Sequence, residues 1–167
     1  MNRRSFISSS IAFGAATLLF ATSIETEAGA QGDGAAIKKI IRTEEEWRRL
    51  LTPEQFYITR QKGTEAPYSS PLNKVKERGT FTCVCCDLPL FSSNTKFDSH
   101  TGWPSFWSSI SKQNVAEEVD TSLSETRTEV LCARCDAHLG HVFDDGPKPT
   151  GLRYCINGLA LKFVRKS

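Results

Sequence analysis

Arg153-Tyr154-Cys155-Ile156-Asn157-Gly158-Leu159-Ala160-Leu161-Lys162-Phe163-Val164 carries the pattern that decides the fold. Residues 153–156 read as a polar-flanked strand. Beyond Gly158, Leu159, Leu161 and Phe163 alternate with Ala160, Lys162 and Val164, the period of two expected of a strand with one buried face. Working outward, short alternating or β-branched runs lie near 81–84, 115–119, 128–132 and 142–143, separated by Gly, Pro, Asp and Ser. This texture predicts a mainly β, antiparallel domain from Phe81 onward. Before Gly63 the signals are helical. Thr43-Glu44-Glu45-Glu46 offers a capping box, with Trp47, Leu50 and Leu51 spaced for one helical face. Thr52-Pro53-Glu54-Gln55 repeats the start signal, with Pro at the first helical position.

The chain has 167 residues, 39% hydrophobic and 24% charged, with a formal net charge of +2, which fits one ordinary globular domain. So balanced a charge argues against a surface that tracks phosphates, and no nucleic-acid partner is expected. Residues 1–30 read as an export signal: Arg3 and Arg4, an apolar stretch over 11–21, then Ala28-Gly29-Ala30 as a small-residue cleavage site. That stretch is about half of the roughly 20 residues a membrane-crossing helix needs. Asn2-Arg3-Arg4-Ser5-Phe6-Ile7 resembles a bacterial twin-arginine signal, with a general secretory signal as the alternative, since Asn2 stands where Ser or Thr is more usual. Either places the protein outside the cytoplasm, in the periplasm. Residues 31–42 read as a linker and 43–167 as the domain.

Six cysteines in so short a chain direct attention to metal, disulfide or thiol chemistry. Cys83 and Cys86 enclose two residues, as do Cys132 and Cys135, the spacing of two knuckles that deliver four thiolates to one ion. A structural zinc is the expected occupant, because a full thiolate shell leaves no open position for substrate. Disulfides are the alternative in an oxidising compartment. Cys85 sits inside the first knuckle and is left over. Cys155 belongs to neither pair, and its strand alone leaves open a packed thiol or a nucleophile. His138 and His141 stand three residues apart, and alone could be a structural cluster, spare ligands or catalytic groups; Trp103 and Trp107, in isolation, read as core.

Taken together, the cysteine pairs, Lys96-Phe97-Asp98-Ser99, Gly102-Trp103-Pro104-Ser105-Phe106, His138-Leu139-Gly140-His141-Val142-Phe143, Asp145-Gly146-Pro147 and Arg153-Tyr154-Cys155-Ile156-Asn157 resemble the B-type, methionine-R-sulfoxide reductase family, from about Glu44 to Phe163. The resemblance implies a β-tent-like fold of two antiparallel sheets with short N-terminal helices, and one structural zinc on Cys83, Cys86, Cys132 and Cys135, on the side away from the active site. It implies thiol-dependent reduction of methionine-R-sulfoxide, protein-bound or free, for repair of oxidised proteins. Cys155 would attack the sulfoxide sulfur and become a sulfenic acid. His141, with His138 near it, would be the acid or hydrogen-bond donor to the oxygen, because imidazole titrates near neutrality. Asn157, two residues past Cys155, would donate its amide to the same oxygen. Trp103 would contact the substrate methyl group, and Asp145 and Arg153 would form a pair orienting the substrate site. Whether Arg153 reaches Cys155 is not decided by spacing. Many members carry a resolving cysteine where this chain has Thr101, and glycine is usual at His100. Two readings follow: Cys85 resolves the sulfenic acid, or an external thiol such as a thioredoxin-like protein reduces it directly. A monomer is expected. The rivals are a zinc-stabilised binding module with Cys155 merely packed, and a thiol-disulfide oxidoreductase, for which the helix-borne motif is missing.

Overall fold

The computed structural model describes residues 37–166; the export signal at 1–30 and the first part of the 31–42 linker lie outside the described residues. The described end of that linker is packed, because Ile37 and Ile40 lie against the core and the Ile40 N–H donates to the Arg134 carbonyl at 2.7 Å.

Two short helices come first, α1 (Glu44–Leu50) and α2 (Pro53–Arg60). Each opens with the expected capping box: Thr43 and Thr52 accept from the N–H of Glu46 and Gln55, whose side chains reach back to the cap. Trp47 and Leu51 are buried, but Leu50 is 58% exposed. The expected three-residue face fails because the helix ends at Leu50 and the chain turns into extended backbone at Leu51.

Nine strands follow: β1 (Gly79–Cys83), β2 (Pro89–Ser92), β3 (Lys96–Phe97), β4 (Ser105–Phe106), β5 (Val115–Asp120), β6 (Arg127–Cys132), β7 (His138–Phe143), β8 (Arg153–Ile156) and β9 (Leu161–Arg165). They form two antiparallel sheets, ordered β2-β1-β9 and β3-β4-β8-β7-β6-β5, so the mainly β, two-sheet architecture expected from the sequence is present. Aromatic rings join the sheets. Phe91 stacks on Phe106 at 4.5 Å, Phe81 meets Phe106 edge-on at 4.9 Å, and Tyr154 approaches Phe91 at 5.6 Å.

Three strands, β2 to β4, have no counterpart among the expected runs. β3 and β4 are two residues long, and β2 starts with Pro89 at a sheet edge, where a missing N–H does no harm. The last strand begins at Leu161, not Leu159. Residues Gly158–Ala160 form a 3-10 turn instead, because the buried Glu65 carboxylate accepts the N–H groups of Gly158 (2.6 Å) and Leu159 (2.9 Å).

Strand register builds the site. In β8, Tyr154 and Ile156 turn into the core, which leaves Arg153 and Cys155 on the opposite face. Paired positions across the six-stranded sheet then form one row: Glu118, Glu129, His141, Cys155, Ser105 and Phe97. In a regular strand residues three apart face opposite ways, yet the His138 and His141 rings lie 5.6 Å apart. A bulge at Leu139 resolves this, since Val130 pairs Gly140 while Leu131 pairs His138. Gly140 must remain bare there: a Cβ would lie 2.1 Å from the Cys155 carbonyl oxygen. Gly140→Ala is expected to cost at least about 2 kcal/mol and to lower activity by displacing the Cys155 backbone. Urea denaturation checks it, and unchanged stability would show that β7 and β8 can separate freely.

Candidate active site

The two cysteine pairs sit on matching turns. In each, the N–H four residues past the first cysteine returns to that cysteine's carbonyl at 2.9 Å, from Asp87 to Cys83 and from Asp136 to Cys132. Both aspartates adopt positive φ, 58° and 55°. The four sulfurs of Cys83, Cys86, Cys132 and Cys135 lie within 4.8 Å of one another, with Cys83–Cys135 at 3.7 Å and Cys86–Cys132 at 3.5 Å. A tetrahedral ion with bonds of about 2.3 Å to sulfur sets its ligands roughly 3.8 Å apart, so this set fits a metal ion. All six cysteines are free thiols, so none of the alternative disulfides is formed. Cys85 lies among Cys83 and Cys135 with Thr59 and Arg60 of α2 beside it. The neighbours of Cys155 are others: Thr101, Ser105 and Arg153.

Cys155 opens into a small pocket of about 120 Å³ lined by Thr64, Trp103, Arg127, Gly140, His141, Phe143 and Asn157. Pockets that engulf a drug-sized ligand run to about 300–1,000 Å³, so this one suits the tip of a single side chain. A larger cleft of about 660 Å³ between Arg78–Thr80, 92–94 and 164–166 is lined by no thiol, imidazole or carboxylate.

Of the residues singled out in the sequence, the pocket brings together Cys155, His141, Asn157 and Trp103. His138 lies behind them, 3% exposed, with Nδ1 2.7 Å from Glu129 Oε1, and Lys62 binds the other Glu129 oxygen at 2.7 Å. Asp145 and Arg153 also stay off the pocket wall. They form a two-pronged pair, both bonds 2.7 Å, and Arg153 stacks 4.2 Å over the Phe143 ring, which does line the pocket. Asn157 is buried and donates one amide hydrogen to the Leu139 carbonyl at 3.1 Å, while its Oδ1 accepts the Glu65 N–H. The Glu65 carbonyl accepts from Trp103 Nε1 at 3.1 Å, so one buried residue fixes both Trp103 and Asn157. His100 is exposed and has φ 58°, the backbone that glycine adopts without strain; its side chain stands off the pocket.

Several of these residues escaped sequence reading. Thr101 Oγ1 lies 3.7 Å from Cys155 Sγ and is tied through Ser99 (2.8 Å) to Ser105 (2.7 Å). His141 Nε2 bonds Asp120 Oδ2 at 2.7 Å, and Arg127 binds the same oxygen at 2.7 Å. No local pattern marks Glu65, Asp120, Arg127 or Glu129; strand register turns the last three toward the site, and Glu65, in the loop before β1, is held inward by the Gly158 and Leu159 N–H groups.

Burial pushes the Cys155 thiol above its ordinary value, against the opposing pull of Thr101 and Arg153. The resting sulfur is therefore protonated at neutral pH. Burial also pushes His138 below its ordinary 6.5, outweighing Glu129. Burial alone would raise Glu129, but Lys62 and His138 together carry it below 4.5. Both shifts act in one direction. As pH falls through 6.5, the unfolded chain gains a proton at His138 that the folded protein still refuses, and below 4.5 the same holds for Glu129. Stability should thus drop on acidification from pH 7, by up to about 1.4 kcal/mol per pH unit for each proton. Urea titrations from pH 7 to 4 check this, with His138→Asn flattening the first step.

A lone, half-buried thiol opposite an imidazole and beside an indole is the equipment of an oxidoreductase acting at sulfur. A family model described as "SelR domain" matches residues 51–165. Similar relatives carry the name "Peptide methionine sulfoxide reductase MsrB". The one from Pseudomonas putida (strain W619) is 59% identical over 76% of this chain and 96% of its own length. Those from Hahella chejuensis and Methanosarcina barkeri are 54% and 56% identical, over 75% and 77% of this chain and 90% of each relative. The chain belongs to the SelR-domain family, the B-type peptide-methionine (R)-S-oxide reductases.

Proposed function

We propose that this methionine-R-sulfoxide reductase works by attack of Cys155 on the sulfoxide sulfur. The oxygen then passes from the methionine sulfur to Cys155, and the thiol proton ends on that oxygen, giving Cys155 sulfenic acid and methionine; two external thiols return Cys155 to the thiol, forming their own disulfide and water. Trp103 receives the S-methyl group. His141 handles the proton, and the second amide hydrogen of Asn157 is directed at the oxygen. Arg127 Nε, buried on the pocket wall without a partner, is a further donor for an acceptor on the substrate. His138 and the Asp145–Arg153 pair act from behind, through the His141 ring and the Phe143 ring.

The observation that supports this reading is the convergence of Cys155, His141, Asn157 and Trp103 on one pocket sized for a side-chain tip. It favours methionine sulfoxide within proteins and also admits the free amino acid. Zinc is the ion proposed for Cys83, Cys86, Cys132 and Cys135, where it holds two turns together and takes no part in the reaction. The reductant is an external thiol such as a thioredoxin-like protein acting directly on Cys155, a reading supported by the half-buried Cys85 having the other thiols and α2 as neighbours and not Cys155. The residue 1–30 segment supports action in the periplasm, after export by the twin-arginine route.

One equivalent of each sulfoxide epimer, given without reductant, tests the scheme. The R epimer should release one methionine per enzyme and leave one added oxygen on Cys155, trapped by a sulfenic-acid reagent. Equal turnover of both epimers would overturn the assignment, and a Cys85–Cys155 disulfide would show that Cys85 resolves the sulfenic acid, with the external thiol then reducing that disulfide instead.

A further inference from the structure

His141 is the residue directly opposite Cys155 in the β7–β8 register, and its ring is held from the far side. Nε2 lies 2.7 Å from Asp120 Oδ2. That carboxylate is saturated: Oδ2 also accepts from Arg127 at 2.7 Å, and Oδ1 accepts the Ser122 N–H at 2.9 Å. The Asp120 side chain is 14% exposed and the His141 side chain 11%, so water competes little for the contact. Bonds from Ser122, with those from His141 and Arg127, hold the Asp120 carboxyl well below the ordinary carboxylate range, so it is an acceptor at any working pH. An ionised carboxylate has only lone pairs to offer, so Nε2 must carry the hydrogen of that bond. In neutral imidazole this leaves Nδ1 with a lone pair, and no described residue hydrogen-bonds Nδ1.

The second histidine cannot substitute. His138 Nδ1 is engaged with Glu129, whose other oxygen is taken by Lys62, and both His138 and Glu129 are buried, with the His138 ring against that of His141. The charged and titratable groups around His141 on β5, β6 and β8 are Glu118, Asp120, Arg127, Glu129, Arg153 and Cys155. Of these only Asp120 bonds the ring.

We propose that Asp120, braced by Arg127, is a positioning residue that holds His141 in one orientation and one tautomer, with Nε2–H toward the carboxylate, so that Nδ1 takes the Cys155 proton and gives it to the sulfoxide oxygen. This rests on Cys155 being the attacking thiol. The balance closes on one proton: it leaves Sγ as the sulfur–sulfur contact forms, resides on Nδ1 while the ring's positive charge faces Asp120, and ends on the oxygen that moves to Cys155. No outside acid is consumed. The arrangement also answers how a thiol raised by burial becomes a nucleophile, since the base stands in the next strand.

The test reads the resting enzyme first. Nitrogen-15 spectra of histidine-labelled wild type, at a pH where the ring is neutral, should show His141 as the Nε2–H tautomer; an Nδ1–H ring or an even mixture overturns the proposal. Substrate plays no part in this measurement, so its failure is distinct from a failure of Cys155 as nucleophile. Asp120→Asn should then lose the single tautomer and lower kcat on the order of 100-fold with KM within about twofold. Asp120→Glu, which keeps the carboxylate, should recover most of both. Wild-type kcat in Asp120→Asn, or a loss carried by KM alone, overturns the proposal. Should Asp120→Asn fail to fold, the wild-type spectrum decides alone.

Discussion

Cys155→Ser should reduce the turnover of methionine-R-sulfoxide by at least about a thousandfold while leaving the protein folded. The change replaces one sulfur by one oxygen at a position where the side chain faces a pocket, with Thr101 Oγ1 as its polar neighbour at 3.7 Å, so a hydroxyl is accommodated. Its chemistry fails twice. A serine hydroxyl ionises far above a thiol and is a poor nucleophile toward a soft sulfoxide sulfur, and oxygen cannot enter the sulfenic-acid state that stores the transferred atom. Methionine release measured by chromatography, beside a thermal melt that matches wild type within a few degrees, is the check. Full activity in a folded, metal-replete Cys155→Ser protein would return Cys155 to the status of a packed thiol and reopen the binding-module reading.

Removing the zinc proposed for the four-cysteine site, or one of its ligands by Cys132→Ser, should unfold the domain rather than slow it. Cys132 is fully buried at the end of β6, and Cys83 is fully buried at the end of β1, so the cluster links the six-stranded sheet to the three-stranded one. Structural zinc contributes on the order of 10–16 kcal/mol in small zinc domains, whereas a domain's net stability is only about 5–15 kcal/mol. Four unligated thiols packed within 4.8 Å have no comparable compensation. Circular dichroism during titration with a strong chelator, with zinc counted by elemental analysis, should show loss of structure in step with loss of metal. Retention of fold and activity after complete metal removal would mean that the aromatic contacts among Phe81, Phe91 and Phe106 suffice.

What the sequence determined alone is what short spacings encode. The two capping boxes placed α1 and α2, the polar-flanked run 153–156 placed β8 without deciding which way Cys155 faces, and the two-residue gaps in each cysteine pair specified matching turns. Ordered motifs supplied the family, and with it Trp103, His141 and Asn157, which do meet at Cys155. Tertiary structure decided everything that depends on which strand lies beside which. The bulge that brings His138 to the His141 face, the inward turn of Glu65, Asp120, Arg127 and Glu129, and the start of β9 at Leu161 depend on partners between 2 and 94 positions away along the chain. The physical reason is that a charged residue on a strand reads the same whether it faces water or a buried partner. Its role is fixed only when hydrogen-bonded register puts another strand's donor within reach.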